Sequence, residues 1–198
     1  MNPLQTRGGT IILGIVLSII AIFALGAAGA FNAWAFWVWV HVVVGIAWIG
    51  LLYYFNAVQV PGVAAALADK EPGPAAINKY IAPRALFWFR WAALLTWLTG
   101  AMTLEVMHQG PGSGFVAAFT FQEGFAVIGM GAWLGTIMLL NVWGPIWQNQ
   151  KKILGMKTAT AEEVAKAKKI AFIASRTNVA LSIPMLLGMV GQGHGLPF

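Results

Sequence analysis

The stretch NAWAFWVWVHVVVGIAWIGLLYYFNA, Asn32 to Ala57, holds no Asp, Glu, Lys or Arg and one histidine, His41. At 1.5 Å per residue such a run covers a hydrocarbon core of about 30 Å. Four similar runs flank it, at Thr10–Gly29, Ala85–Glu105, Phe119–Trp143 and Ile170–Gly191. The pattern predicts an all-α polytopic membrane bundle of five spans, with all 198 residues in one integral membrane domain. Composition agrees, since 59% of residues are hydrophobic and 9% charged, against roughly a quarter charged in soluble domains.

Charge placement sets the expected orientation. Arg7 precedes the first run, Lys70, Lys79 and Arg84 lie between the second and third, and Lys151, Lys152, Lys157, Lys166, Lys168 and Lys169 lie between the fourth and fifth. The other two connections and the C-terminus carry no Lys or Arg. Basic residues stay on the cytoplasmic side, which predicts an N-in, C-out protein of a bacterial inner membrane. The net charge of +6 therefore reports topology and excludes a nucleic-acid interface. Arg7 ahead of the first run and the small residues 27–30 behind it also fit a signal peptide; we read the run as an uncleaved span.

The connections differ in character. Thr160-Ala-Glu-Glu163 reads as a capping box, so the last helix is expected to begin outside the membrane and run into it unbroken. Between residues 58 and 83, Pro61, Pro72, Pro74 and Pro83 leave room for short interfacial helices at most. Gly131 and Gly135 form a G-x-x-x-G pair suited to close helix contact. No inverted repeat or pair of broken helices suggests a transporter.

Ionisable groups inside a membrane are functional candidates. His41 lies about nine residues into its span, roughly 13 Å along the axis, and the local sequence offers it no charge partner. Trp34, Trp37, Gly45 and Trp48 share its face. That set suits the edge of a flat macrocycle, with Gly45 admitting the ring, and equally suits a histidine bonded to a neighbouring helix. The absence of Cys excludes thiolate sites and covalent c-type haem, so a haem here would be b-type. Met130 lies near the depth of His41 and is a candidate second axial ligand, as are Met185 and Met189; core filling is the alternative.

Two further groups stand out. At the outer ends, Glu105 and His108 at i and i+3, Glu123 and His194 are candidate ligands for copper, zinc or iron, or else solvated interfacial residues. At the inner ends, Arg90 and Arg176, with Asn141, Gln148, Asn149, Gln150 and Asn178, either snorkel or hold haem propionates or an anionic substrate.

Four blocks resemble one known family. They are Trp39-Val-His41-Val-Val-Val-Gly45-Ile-Ala-Trp48-Ile-Gly50 with Tyr54-Phe55; Lys79-Tyr80 through Trp88-Phe89-Arg90-Trp91 to Thr96-Trp97-Leu98-Thr99-Gly100; Gly135-Thr136-Ile137-Met138 with Asn141-Val142 and Asn149-Gln150-Lys151-Lys152; and Ser175-Arg176-Thr177-Asn178 with Leu181-Ser182, Pro184, Met189 and His194. In this order they resemble the membrane domain of the bacterial urate hydroxylases. The resemblance implies a helical membrane domain associated with urate oxidation and electron transfer to cytochrome c, here shortened between its third and fourth spans and without the cytochrome module. Gly129 and Met130 stand where the family pattern leads us to expect a histidine.

These readings leave three functions open. The first is a membrane redox protein with a non-covalent b-type haem on His41 and an electron partner, such as cytochrome c, on the outer side. The second is a cofactor-free accessory subunit of a larger membrane oxidoreductase, and an oligomer is compatible with either. The third is an oxidoreductase acting on an anionic purine-like substrate near Arg90 and Arg176.

Overall fold

The computed structural model describes residues 2–26 and 30–197. Every regular element among them is helical. The chain divides into two units, Met1–Asn32 and Ala33–Phe198. The first consists of a short 3-10 turn and helix α1 (Arg7–Leu25), which Thr6 caps by accepting from the Gly9 amide at 3.1 Å. Thr10 and Ser18 return their hydroxyls to carbonyls one turn back, so α1 presents a nearly all-apolar surface. The expected end of this span at Gly29, with Ala27 and Ala28 of the possible cleavage site, lies outside the described residues.

The second unit contains α2 (Ala33–Tyr54), α3 (Val60–Asp69), α4 (Ala82–Met107), α5 (Gly114–Phe119), α6 (Ala126–Asn141), α7 (Trp147–Ile153) and α8 (Ala161–His194). Four helical stretches among the described residues are long and apolar enough to cross a membrane: Arg7–Leu25, Ala33–Asp69, Ala126–Ile153 and Ala161–His194. The remaining predicted span, α4, has 26 residues and so the length, about 39 Å. Its Trp, Thr, Arg90 and Glu105 side chains make it less apolar than the others.

Prolines explain where the expected boundaries fail. Π-helical turns occupy Phe55–Gln59, Ile77–Ile81 and Val142–Ile146. Each contains or closely precedes a proline, respectively Pro61, Pro83 and Pro145. A proline cannot donate to the carbonyl four residues back and its ring crowds that carbonyl, and a widened turn absorbs the misfit without ending the helix. The second apolar helical stretch therefore runs past Ala57 to Asp69, and the fourth past Trp143 to Ile153. The fourth starts at Ala126 rather than Phe119, because the segment between α5 and α6 turns sharply at Phe121 and Gly124, both at positive φ.

The main helix pairings are α2 with α4 and α6 with α8. Gly131 meets α8 as expected, 3.3 Å from the Met185 carbonyl measured from an ideal Cβ, but nothing approaches Gly135 within 4 Å. The second glycine of the crossing is Gly188, where a Cβ would stand 2.8 Å from the Gly131 nitrogen and 2.9 Å from the Val127 carbonyl. Around these contacts lies one core of Trp48, Leu52, Phe55, Leu86, Phe89, Met138, Val142, Ile146 and Met185. At the start of α8, the Thr160 hydroxyl accepts from the Glu163 amide at 3.2 Å and Glu163 accepts from the Thr160 amide at 2.8 Å, so the capping box forms.

Two outcomes follow. Gly188→Leu should destabilise the α6–α8 crossing by about 1–3 kcal/mol, since the clash is with backbone, whereas Gly135→Ala should be near neutral; a denaturant titration of the solubilised protein measures both. The second concerns pH. The Thr160 amide, followed by the Lys152 ammonium 3.6 Å away, holds the Glu163 carboxyl below the usual range. A depressed carboxyl contributes stability above its unfolded value, about 4.3, and loses it as pH falls through the lower folded value. Amide exchange across residues 161–164, corrected for its intrinsic pH dependence, should therefore show the α8 terminus fraying only below that value, and Glu163→Gln should remove the pH dependence.

Candidate functional site

His41 does have a partner, and it is distant in sequence. Its Nδ1 lies 2.9 Å from the Thr96 carbonyl of α4 and 3.3 Å from Thr99 Oγ1. A carbonyl has no proton to give, so Nδ1 carries the hydrogen and donates it. In the neutral imidazole this leaves the lone pair on Nε2. The ring fits because Gly100 has no side chain: a Cβ there would come within 3.0 Å of His41 Cε1. In return, the Thr96 methyl sits 3.6 Å from where a Cβ on Gly45 would be. Gly45 thus lies in ordinary packing distance of α4. Trp48, expected to flank a ring, is buried in the core with its Nε1 unpartnered among the described residues.

Of the other expected companions of His41, Met130 is on α6, which packs mainly on α8 and also on α4, and Met185 and Met189 belong to the apolar packing. The guanidinium of Arg90 lies 3.9 Å from the Trp147 ring and 5.3 Å from Phe87, and that of Arg176 lies 5.2 Å from Phe172 on its own helix. Each Arg thus stacks on aromatics. No shared anion cradle for propionates or a purine-like substrate is formed by these contacts.

The outer carboxylate and histidine group has a structural explanation. Glu105 accepts from the Ser113 hydroxyl and from the Phe115 amide at 3.2 Å, tying the start of α5 to the end of α4. His108 Nε2 lies 3.2 Å from the Pro111 carbonyl and its ring packs edge-on against Phe125. Glu123 is exposed in the turn before α6, and His194 is exposed at the last residue of α8. No cluster of three or more His, Asp or Glu able to hold a metal ion occurs among the described residues.

A second polar seam escaped the sequence reading. Asn178, fully buried, donates to the Met138 carbonyl and accepts from Asn141 Nδ2, both at 3.0 Å. Ser182 gives its proton to the Val179 carbonyl at 2.7 Å, so Tyr53 is the donor in the 2.9 Å bond between their oxygens. Asn56, on the first π turn, donates to the Leu52 carbonyl and to Ser175 Oγ, both at 2.8 Å, and its buried Oδ1 has no partner among the described residues. Trp97 Nε1 donates to Thr136 at 2.8 Å, joining α4 to α6. Asn141 and Asn178 were legible as polar residues in apolar runs; Asn56 becomes a seam residue only through the proline-linked π turn.

The fold and its two seams define a class: an all-α bundle with several helices long and apolar enough to cross a membrane, joined by interhelical hydrogen bonds and glycine contacts. Residues 112–198, covering α5 to α8, match the family described as urate oxidase N-terminal. No curated protein and no solved structure matches the chain.

The Asn141–Asn178 bond can be measured directly. A double-mutant cycle with Asn141→Ala and Asn178→Ala should give a coupling of about 0.5–2 kcal/mol, with Asn178→Ala the costlier single change because it also removes the bond to the Met138 carbonyl and leaves a gap at a fully buried position.

Proposed function

We propose that this chain is a five-span inner-membrane protein, N-in and C-out, that serves as a redox component of a urate-hydroxylase-like oxidoreductase, with His41 an axial ligand to a non-covalent b-type haem. The observation that carries this reading is the Nδ1–H bond from His41 to the Thr96 carbonyl. Ligating histidines commonly donate their other ring proton to a backbone carbonyl, which fixes the tautomer and aims the lone pair. The donor chemistry of His41 therefore fits the group, with Gly100 making room for the ring and Thr99 steadying Nδ1. Gly45 and Trp48 pack against α4 and in the core, and Arg90 and Arg176 lie over aromatic rings, so His41 is the residue of that set whose donor geometry speaks for holding the group. When bound, the haem supplies one-electron chemistry, with cytochrome c or a larger membrane complex as the outer-side partner. The similarity over residues 112–198 supports an oxidoreductase setting.

One observation favours a second reading. The seating of Thr96 against Gly45 and the bond already made by His41 suit a cofactor-free accessory subunit whose histidine only joins two helices.

A reduced-minus-oxidised visible spectrum of the detergent-purified chain, with metal analysis of the same sample, separates the two. Sharp b-type bands that disappear in His41→Ala, with helical content retained, are the expected result. Gly100→Leu, which crowds the ring, should shift or weaken the same bands. A sample without bands or metal would overturn the haem reading and leave the accessory subunit.

A further inference from the structure

A second site lies on the opposite side of α2 from the α8 seam. A crevice of about 280 Å³ opens between α2 and the start of α4, with Leu51 and Tyr54 on one wall and Tyr80, Arg84, Ala85 and Trp88 on the other. Its chemistry is graded along the chain. Arg84 stands at the beginning of α4, one Nη donating to the Tyr80 carbonyl at 2.8 Å and the other guanidinium protons left available. The ammonium of Lys79 lies 5.2 Å from the Tyr80 ring, at the same end. Further along α4 from Arg84 the lining is apolar, with Ala85 and Trp88, and Leu51 of α2 is also in it.

Among the described residues, the one ion pair is Lys152–Glu163, so neither Lys79 nor Arg84 is neutralised by a carboxylate. Tyr54 and Tyr80 supply hydroxyl-bearing aromatic walls of the kind that settle at the boundary between head groups and hydrocarbon. Arg84 in the lining, and Lys79 over the ring of the lining residue Tyr80, beside an otherwise apolar crevice complement a molecule with an anionic head and a hydrocarbon tail.

We propose that this crevice holds one anionic phospholipid of the inner leaflet, its phosphate against Arg84 and Lys79 and an acyl chain along Leu51, Ala85 and Trp88. The proposal rests on the membrane-spanning, N-in reading above, which sets the start of α4 at the cytoplasmic head-group level. A free phosphate would share the cationic mouth and make no use of the apolar interior.

Native mass spectrometry of the full-length chain in detergent, titrated with phosphatidylglycerol or phosphatidylcholine, tests it. Wild type should retain one phosphatidylglycerol with a preference over phosphatidylcholine of about fivefold or more, each basic residue contributing about that factor. Arg84→Gln with Lys79→Gln should reduce phosphatidylglycerol to the phosphatidylcholine level, and Arg84→Lys should restore part of the preference. Equal binding of the two lipids, or selectivity unchanged in the double variant, would overturn the proposal. Displacement of phosphatidylglycerol by inorganic phosphate at equal concentration would identify a free-phosphate site and overturn it too. Alkaline carbonate extraction of native membranes separates the two levels of failure: release of the chain would overturn the membrane reading itself, whereas retention with no lipid preference overturns the site alone.

Discussion

Backbone contact without an intervening side chain is the constraint on which the large unit depends. In an apolar solvent, helices gain little from burying apolar surface, because lipid tails do the same, and association rests on close packing and interhelical hydrogen bonds. The Gly188 and Gly131 backbones meet where any Cβ would clash, which joins α6 to α8. On the other side, α2 and α4 exchange a large group for a small one twice: His41 fills the space over Gly100, and Thr96 fills the space over Gly45. The depth of each crossing is set by the missing side chains. The large aromatic residues are then free to pack around it, as Phe55 does on Phe89 and Trp91 on Trp143.

Close approach has a second effect, on polar groups. Hydrogen bonds between helices require short backbone separation, and the His41–Thr96 and Asn178–Met138 bonds both end on a carbonyl of the partner helix. A carbonyl already serving its own helix can accept again through its second lone pair, so these bonds leave the intrahelical ladder intact. A polar side chain reaching a neighbouring backbone in this way is satisfied without water and without a charged partner. That is how His41 can stand well inside the bundle without a counter-ion.

Much of this was legible in the sequence, and what was missed has common causes. Long apolar runs report spans because hydrocarbon admits only internally bonded backbone, so the helical class and the capping box at Thr160 followed from local composition. Boundaries failed beyond Ala57 and Trp143, where the apolar runs were taken to end and a proline-linked π turn let the helix continue. They failed at Phe119 because apolar composition does not register a turn made by Phe121 and Gly124. The candidate site was legible as single residues and not as pairs. His41 stood out as a lone titratable group in an apolar run, but its partner is a backbone carbonyl 55 positions away, and carbonyls carry no sequence signature. Gly100 sat in plain view beside Thr96 and Thr99, and only the α2–α4 register shows that its missing Cβ is what seats the imidazole.

The two halves of the large unit are also unequal in what identifies them. The match to the urate oxidase N-terminal family lies on α5 to α8, whereas His41 and its carbonyl lie on α2 and α4. They are nevertheless mechanically joined. Tyr53 and Asn56 of the α2 run bond to Ser182 and Ser175 of α8, and Trp97 of α4 bonds to Thr136 of α6. These bonds fix the register of α2 and α4 against the matched half, and the register of α2 against α4 decides whether the imidazole meets the Thr96 carbonyl. Any chemistry at Nε2 therefore depends on residues well outside its immediate surroundings. Ser175, Ser182 and Thr136 lie in the matched half and bond to the helices that carry His41 and its carbonyl, so a change at any of them would reach the histidine through α2 or α4 rather than through contact.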